Sequence, residues 1–231
     1  MKRFWKEAAA VADEGGWTVR LDGKPLRTPA RERLIVPTER LAGAIAEEWN
    51  GAKDTIDPRA MPLTGLANAA IDRVTPDPDT FAASLAKYGE SDLACYRADG
   101  PRELVARQET SWDELLGWAR RRFDVDFCTT SGIVHVAQPD ETVRRLFHAV
   151  ASFDTFHLAG LSPLVTAGGS LVAALAVAES QLSPEEAWHA VTIDEHWQRE
   201  QWGADAEAEA ALEAKRSDFF AAARFLELLD S

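Results

Sequence analysis

The stretch "WTVRLDGKPLRTPARERLIVPTERLAGAIAEEW", Trp17 to Trp49, carries two hydrophobic rhythms in succession. In its first part Trp17, Val19 and Leu21 alternate with polar residues, the period of a strand with one buried face. Asp22-Gly23 separates this run from Leu26 and Thr28. Asp-Gly tolerates the positive φ angles of a tight hairpin turn, so the pattern predicts a β-hairpin. "RLIVP", Arg33 to Pro37, predicts a third strand; "RFWKEAAAV" nearer the N-terminus is a candidate fourth, although its alanines also suit a helix. At Thr38 the rhythm changes. Leu41, Ile45 and Trp49 recur every four residues, and a threonine hydroxyl can accept from the free amides of a first helical turn.

Beyond Trp49 the helical rhythm persists. "PLTGLANAAID", "TPDPDTFAASLAKYG", "PRELVARQ", "SWDELLGWARRRF" and "DETVRRLFHAVASF" follow one another. "VDFCTTSGIVHV", Val125 to Val136, interrupts them with β-prone residues and predicts a short hairpin or a loop wall. Leu161 to Ala178 holds no charged residue but contains Pro163 and Gly168-Gly169, and it has no flanking positive residues; it predicts a buried central helix rather than a membrane span. Ser183-Pro184-Glu185-Glu186 reads as a capping box with proline in the first turn, opening a helix through "AWHAVTIDEHWQREQW". "DFFAAARFLELL" ends the last one. The expected fold is α+β: a β-rich domain with one helix over residues 1–60, then a larger α-helical domain over 61–231.

Composition narrows the function classes. With 231 residues and 46% hydrophobic side chains, the chain can build a sizeable core. A formal net charge of −13 argues against nucleic acid, because no basic stripe is available to neutralise phosphates. The run Arg120 to Arg122 sits where it favours a helix C-terminus. Cys95 and Cys128 are isolated and suggest a reducing compartment. "MKRFWKEAAAVADEGGW" lacks the apolar run of a signal peptide, and Glu7, Asp13 and Glu14 do not suit a transit peptide.

The catalytic possibilities lie among the histidines. Glu186-x-x-His189 and Asp154-x-x-His157 place a carboxylate and an imidazole one turn apart, as di-iron helix bundles do. Such sites repeat Glu-x-x-His and add glutamates from two further helices; Asp154 departs from that and the extra glutamates are missing. An enzyme with a carboxylate or metal site around Glu186, His189 and His157 is therefore the alternative reading. If Pro184 to Trp202 is one helix, Glu186, His189, Ile193, His196 and Glu200 share a face. On that helix His189 and His196 stand roughly 10 Å apart along the axis, too far to share one ion. No phosphate-binding glycine loop, zincin motif or nucleophile elbow occurs, and no cofactor is expected. On the opposite face Trp188, Val191, Glu195 and Trp202 fall within about 60° of one another. A carboxylate in such a stripe has to be paired, placed at a cleft rim, or offered to a partner.

The motifs "RFWKEA", "WTVRLDGKPLRTPA", "LAGAIAEEW", "MPLTGLANAAID", "DLACYRA", "LVARQETSWDELLGWA", "DEHWQREQWG" and "DFFAAARFLELL", in that order over nearly the whole chain, carry a family resemblance. The chain resembles the assembly chaperones that bind the α subunit of the soluble F-one sector of F-type ATP synthase, found in mitochondria and α-proteobacteria. The resemblance implies a small β-containing N-terminal domain and a larger helical one, no catalysis, and a role in holding the unassembled α subunit until the β subunit takes over that surface. It implicates an acid in the helix before "WG", which falls on Asp194 or Glu195, and the tryptophan ending the "EEW" helix, which is Trp49. With Trp188 and Trp202 these form the candidate partner-binding set, while Trp49 also fits a plain core position. A bacterial cytoplasm suits a chain without the mitochondrial members' presequence. A general holdase that captures unrelated proteins is a further possibility.

Overall fold

The structure, a computed structural model, describes residues 2–230. Strand β1 (Ala8–Asp13) pairs antiparallel with β2 (Gly16–Leu21), Ala8 opposite Leu21 and Asp13 opposite Gly16. After β2 the chain turns on Asp22 (φ 48°) and Gly23 (φ 82°). Two successive positive φ angles match the right-handed twist of the flanking strands, and the hairpin predicted from Asp-Gly forms there. The two short strands β3 (Lys24–Pro25) and β4 (Ile35–Val36) both pair with β2, along Arg20–Leu21 and Trp17–Thr18 respectively. "RFWKEAAAV" contributes its alanines to a strand, because β1 is held by the ladder to β2 and not by helix propensity. Gly16 is required at its position: a Cβ there would lie 2.4 Å from the Val36 carbonyl oxygen, with φ at +149°.

Helix α1 (Glu39–Gly51) lies against β1 and β2. Thr38 Oγ1 accepts from the Leu41 amide and donates to the Leu228 carbonyl, at 3.2 and 2.6 Å. Leu41, Ile45 and Trp49 are all buried, on a helix that packs against the strands carrying the buried Val19, Leu21 and Val36. Helix α2 (Pro62–Ala69) starts at Met61, whose side chain provides no cap. Glu48 of α1 takes that role, accepting from the Leu63 and Thr64 amides and from Thr64 Oγ1. Burial raises the Glu48 carboxyl above its usual range despite these bonds.

The chain divides into two compact units, and the division differs from the expected boundary at residues 60/61. The first unit takes the chain up to Pro78, Asp154–Gly160, and the chain from Arg224 onward; the second takes Asp79–Phe153 and Leu161–Ala223. Short segments distant in sequence join the first unit through specific contacts. Phe156 stacks on Phe225, and Gly160 lies so close to Leu226 that a Cβ would sit 2.6 Å from its Cδ2. His157 bridges Asp154 and Asp230 at 2.9 and 3.0 Å. Hydrophobic periodicity along the chain does not encode which distant segments return to one core.

The His157 bridge makes the first unit pH-sensitive. Burial pulls the imidazole down, but hydrogen bonds to Asp230 and Asp154 and their charges outweigh it, so its pKa is raised. The folded state therefore holds the proton more tightly than the unfolded chain. The bridge stabilises in full below the free imidazole value of about 6.5 and is lost as pH rises through the folded value. His157→Gln is accordingly expected to lower the melting temperature markedly at about pH 5.5 and little at about pH 9. Equal losses at both pH values in thermal melts would contradict an ionic bridge.

In the second unit, α3 (Pro78–Ala86) precedes β5 (Tyr96–Arg97), which pairs in parallel with β6 (Thr130–Ser131). Those two residues are all the strand that "VDFCTTSGIVHV" forms; Ile133 and Val134 are 99% and 72% exposed. "PRELVARQ" and "SWDELLGWARRRF" merge into one helix, α4 (Arg102–Phe123), and α5 is Asp140–Ala151. The apolar Leu161–Ala178 stretch is not one helix. It is broken between α6 (Thr155–Gly168) and α7 (Leu171–Ala178), with Gly169 at φ +67° and Ser170 capping α7. Leu171 to Val177 are all buried, so the expectation of a central apolar element holds for α7. The capping box at Ser183 forms with both of its hydrogen bonds at the start of α8 (Pro184–Val191). Thr192 (φ −118°, ψ 22°) then separates α8 from α9 (Ile193–Trp202), its hydroxyl donating back to the Trp188 carbonyl at 2.7 Å. The last helix, α10, is Ala206–Leu229. Among the described residues no helix is long and apolar enough to cross a membrane.

Candidate functional site

Helices α8 and α9 are held in place by side chains of α4. Arg107 lies 4.8 Å over the Trp197 ring and pairs with Glu200 at 2.9 Å. Trp112 Nε1 donates to the Ala190 carbonyl at 2.7 Å. Gln108 Nε2 donates to Asp194 Oδ1 at 2.6 Å, while its Oε1 accepts from the Ala98 amide and its carbonyl accepts from Arg97. These contacts bury Ile193 and Trp197 and leave the rest of α9 partly or fully exposed.

The break at Thr192 changes the face expected for one continuous helix. Trp188 and Val191 turn into the core, Trp188 packing 5.3 Å from the Phe219 ring, while Glu195 is exposed and Trp202 is 79% exposed. The four residues do not form a single apolar stripe. Trp188, Glu195 and Trp202 nevertheless line one cleft, of about 930 Å³, walled by α8, α9 and the first half of α10. Asp194 faces a smaller hollow of about 430 Å³ with Pro101, Leu104 and Trp197. Trp202 borders both. The two neighbouring acids thus differ: Asp194 is half-buried and bonded to Gln108, whereas Glu195 has no hydrogen-bond or ion-pair partner among the described residues.

Trp49 belongs to the core of the first unit, 8% exposed, with Trp5 edge-on at 4.9 Å. The residues of the alternative enzymatic reading are engaged elsewhere. Glu186 closes its capping box on Ser183, which keeps its carboxyl low, and His157 belongs to the bridge in the first unit. Across the break at Thr192 the His189 and His196 rings lie 5.8 Å apart, and both line the cleft. Glu200 is taken by Arg107. Among the described residues no group of three or more His, Cys, Asp and Glu side chains is arranged to hold a metal ion.

Sequence reasoning missed the α10 wall of the cleft. Leu212 lies there among Glu209, Glu213 and Arg216, a stretch whose charge reads as a solvated face. Its only signal was Leu212 itself, the lone large apolar residue between Trp202 and Phe219.

A small sheet carrying one helix, followed by a helical unit, is an architecture this chain shares with a solved Atp12 and with a solved putative chaperone. The ATP12 chaperone protein family model matches residues 2–120, and the chain belongs to that family. It is 43% identical to Atp12 of Paracoccus denitrificans, covering 99% of this chain and 98% of that one with a TM-score of 0.93. A solved aspartate-to-lysine variant of the same Paracoccus protein matches with the same identity and TM-score. A putative chaperone from Agrobacterium tumefaciens is 38% identical, with a TM-score of 0.94 over 99% of this chain and 86% of its own. The mitochondrial protein atp12 of Schizosaccharomyces pombe is 25% identical over 214 residues, 87% of this chain and 74% of that protein.

Proposed function

We propose that this chaperone binds the unassembled α subunit of the F-one sector of F-type ATP synthase and shields its subunit interface until the β subunit replaces it. It works in this reading as a binding protein without catalysis, in a bacterial cytoplasm, as suits its likeness to two bacterial proteins. The partner is seated at the cleft of α8, α9 and α10, with Glu195, Trp202 and the Trp188 edge as contacts; Asp194 serves the fold of the second unit and Trp49 that of the first. One observation carries this assignment: Glu195 is exposed, without a partner among the described residues, in a cleft that an exposed tryptophan also lines, whereas its neighbour Asp194 is bonded to Gln108. Exposed aromatic residues at a concave, water-accessible surface are the usual anchors of protein interfaces.

The test compares Glu195→Lys with Asp194→Lys. Glu195→Lys is expected to melt like the wild-type protein and to bind isolated α subunit more weakly. Asp194→Lys is expected to lose roughly 1–3 kcal/mol of stability, because Gln108 Nε2 loses its acceptor and a charge enters a half-buried position. Wild-type affinity in both variants, or unfolding of Glu195→Lys, would remove Glu195 from the binding surface.

A further inference from the structure

The second unit repeats one local arrangement. Arg97 lies 5.1 Å over the Trp112 ring and pairs with Asp113 at 2.7 Å. Arg107 lies over Trp197 and pairs with Glu200. Arg216 lies 4.6 Å over the Phe220 ring and pairs with Glu213 at 3.6 Å. In each case an aromatic face and a carboxylate share one guanidinium, which offers a planar cation to the ring and a donor fork to the acid. The cleft holds the same two components without the third. Trp202 is 79% exposed there, and Glu195 and Glu185 line the same cleft with no partner among the described residues. The cleft's own arginines are taken: Arg199 pairs with Glu209 at 3.2 Å and Arg216 with Glu213. Asp205 spends its carboxylate on the Glu207 and Ala208 amides at the start of α10. What remains of the lining is the apolar pair Trp188 and Leu212, with Glu195 and Glu185 uncompensated among the described residues.

We infer that the cleft receives an arginine side chain, carried on a partner segment with apolar neighbours, which stacks on Trp202 and pairs with Glu195. The inference rests on the reading that this cleft seats the partner, and it adds the chemistry of what enters. Charge complementarity supports it: a chain of net charge −13 draws a basic segment toward it, and the lining carboxylates orient it on arrival. The apolar pair accommodates the residues beside the arginine, so a bare cation is a poorer occupant than a short Leu-Arg-Leu segment.

The test uses full-length protein and three probes: acetyl-Leu-Arg-Leu-amide, acetyl-Leu-Gln-Leu-amide and acetyl-Leu-Glu-Leu-amide. The indole N–H resonance of Trp202, assigned by its loss in Trp202→Phe, is followed during titration. The arginine peptide should shift it saturably and the other two should not. Glu195→Gln should weaken the arginine peptide about fivefold, the size of an exposed ion pair. In parallel, isolated α subunit is bound to wild type, Glu195→Gln and Trp202→Ala at low and high salt; Trp202→Ala should weaken it by about thirtyfold, as removal of an anchoring tryptophan does. Equal shifts from all three peptides, or none from the arginine peptide, would overturn the inference whatever the α subunit does. Tight α-subunit binding that ignores Glu195→Gln, Trp202→Ala and salt would overturn it too while leaving the proposed partner standing. A wild-type protein that fails to bind the α subunit would remove the proposed function, and the peptide titrations would then decide the cleft's chemistry alone.

Discussion

Trp49→Arg should lower the melting temperature by about 10–20 °C, and whatever fraction stays folded should bind the partner normally. Trp49 ends a stripe in which Leu41 and Ile45 are fully buried, and it is itself 8% exposed against the edge of Trp5. Removing a buried tryptophan costs about 3–5 kcal/mol, and each kcal/mol moves the midpoint of a chain this long by about 2–4 °C. The incoming guanidinium adds to the loss, because Arg3 already lies 5.4 Å from the Trp5 ring and donates to the Asn50 and Ala52 carbonyls. Those carbonyls belong to the C-terminal end of α1 and are satisfied, so little remains for a second cation there. Trp49 Nε1 is buried without a partner among the described residues, so Trp49→Phe recovers some desolvation energy and should be the mildest aromatic replacement. Melting curves alongside an affinity measurement separate the two roles. An arginine variant that melts like wild type yet does not bind would make Trp49 a contact.

Asp92→Ala should destabilise the second unit by about 3–5 kcal/mol, through three unsatisfied donors. Asp92 is fully buried. Its Oδ1 accepts from the Ala94 amide at 3.0 Å and from Ser170 Oγ at 2.8 Å, and its Oδ2 accepts from the Val172 amide at 2.9 Å. One carboxylate thereby caps the start of the turn at Leu93–Cys95 and holds the first turn of α7, the most deeply buried helix of the unit. Burial pushes its carboxyl above the usual range, against the pull of these bonds. Asp92→Asn keeps the shape but points an NH₂ group at a donor, so it should lose less than alanine and more than an exposed substitution, about 1.5–3 kcal/mol. Denaturant melts of the three proteins test this order. An alanine variant as stable as asparagine would show that solvent reaches the site and replaces the carboxylate.

Several local features were legible in the residues alone. Asp22-Gly23 called for positive φ at a turn, Thr38 for a helix start, and Ser183 with Glu186 for a capping box, and each formed as its side-chain chemistry requires. The helical breaks at Gly168-Gly169 and Thr192 were less legible. An apolar run or a polar face reads the same whether its helix is continuous or kinked, and the Thr192 break depends on a hydroxyl finding the Trp188 carbonyl. The stretch Val125 to Val136 was open between a short hairpin and a loop wall, and only Thr130 and Ser131 find a ladder partner, while Ile133 and Val134 stay exposed.

The α+β class, the order of elements and the family were determined by the sequence, because periodicity, turn chemistry and ordered motifs are local along the chain. Tertiary structure decided which of two adjacent acids is free. Asp194 and Glu195 are indistinguishable as carboxylates one residue apart, and the face on which helical arithmetic set Glu195 with Trp188, Val191 and Trp202 is interrupted at Thr192. Gln108, 86 positions away from Asp194, supplies the donor that engages it. The α10 wall, carrying Leu212, completes the cleft that Glu195 and Trp202 both line. Long-range contacts of this kind follow from how the chain packs, and no local pattern along it records them.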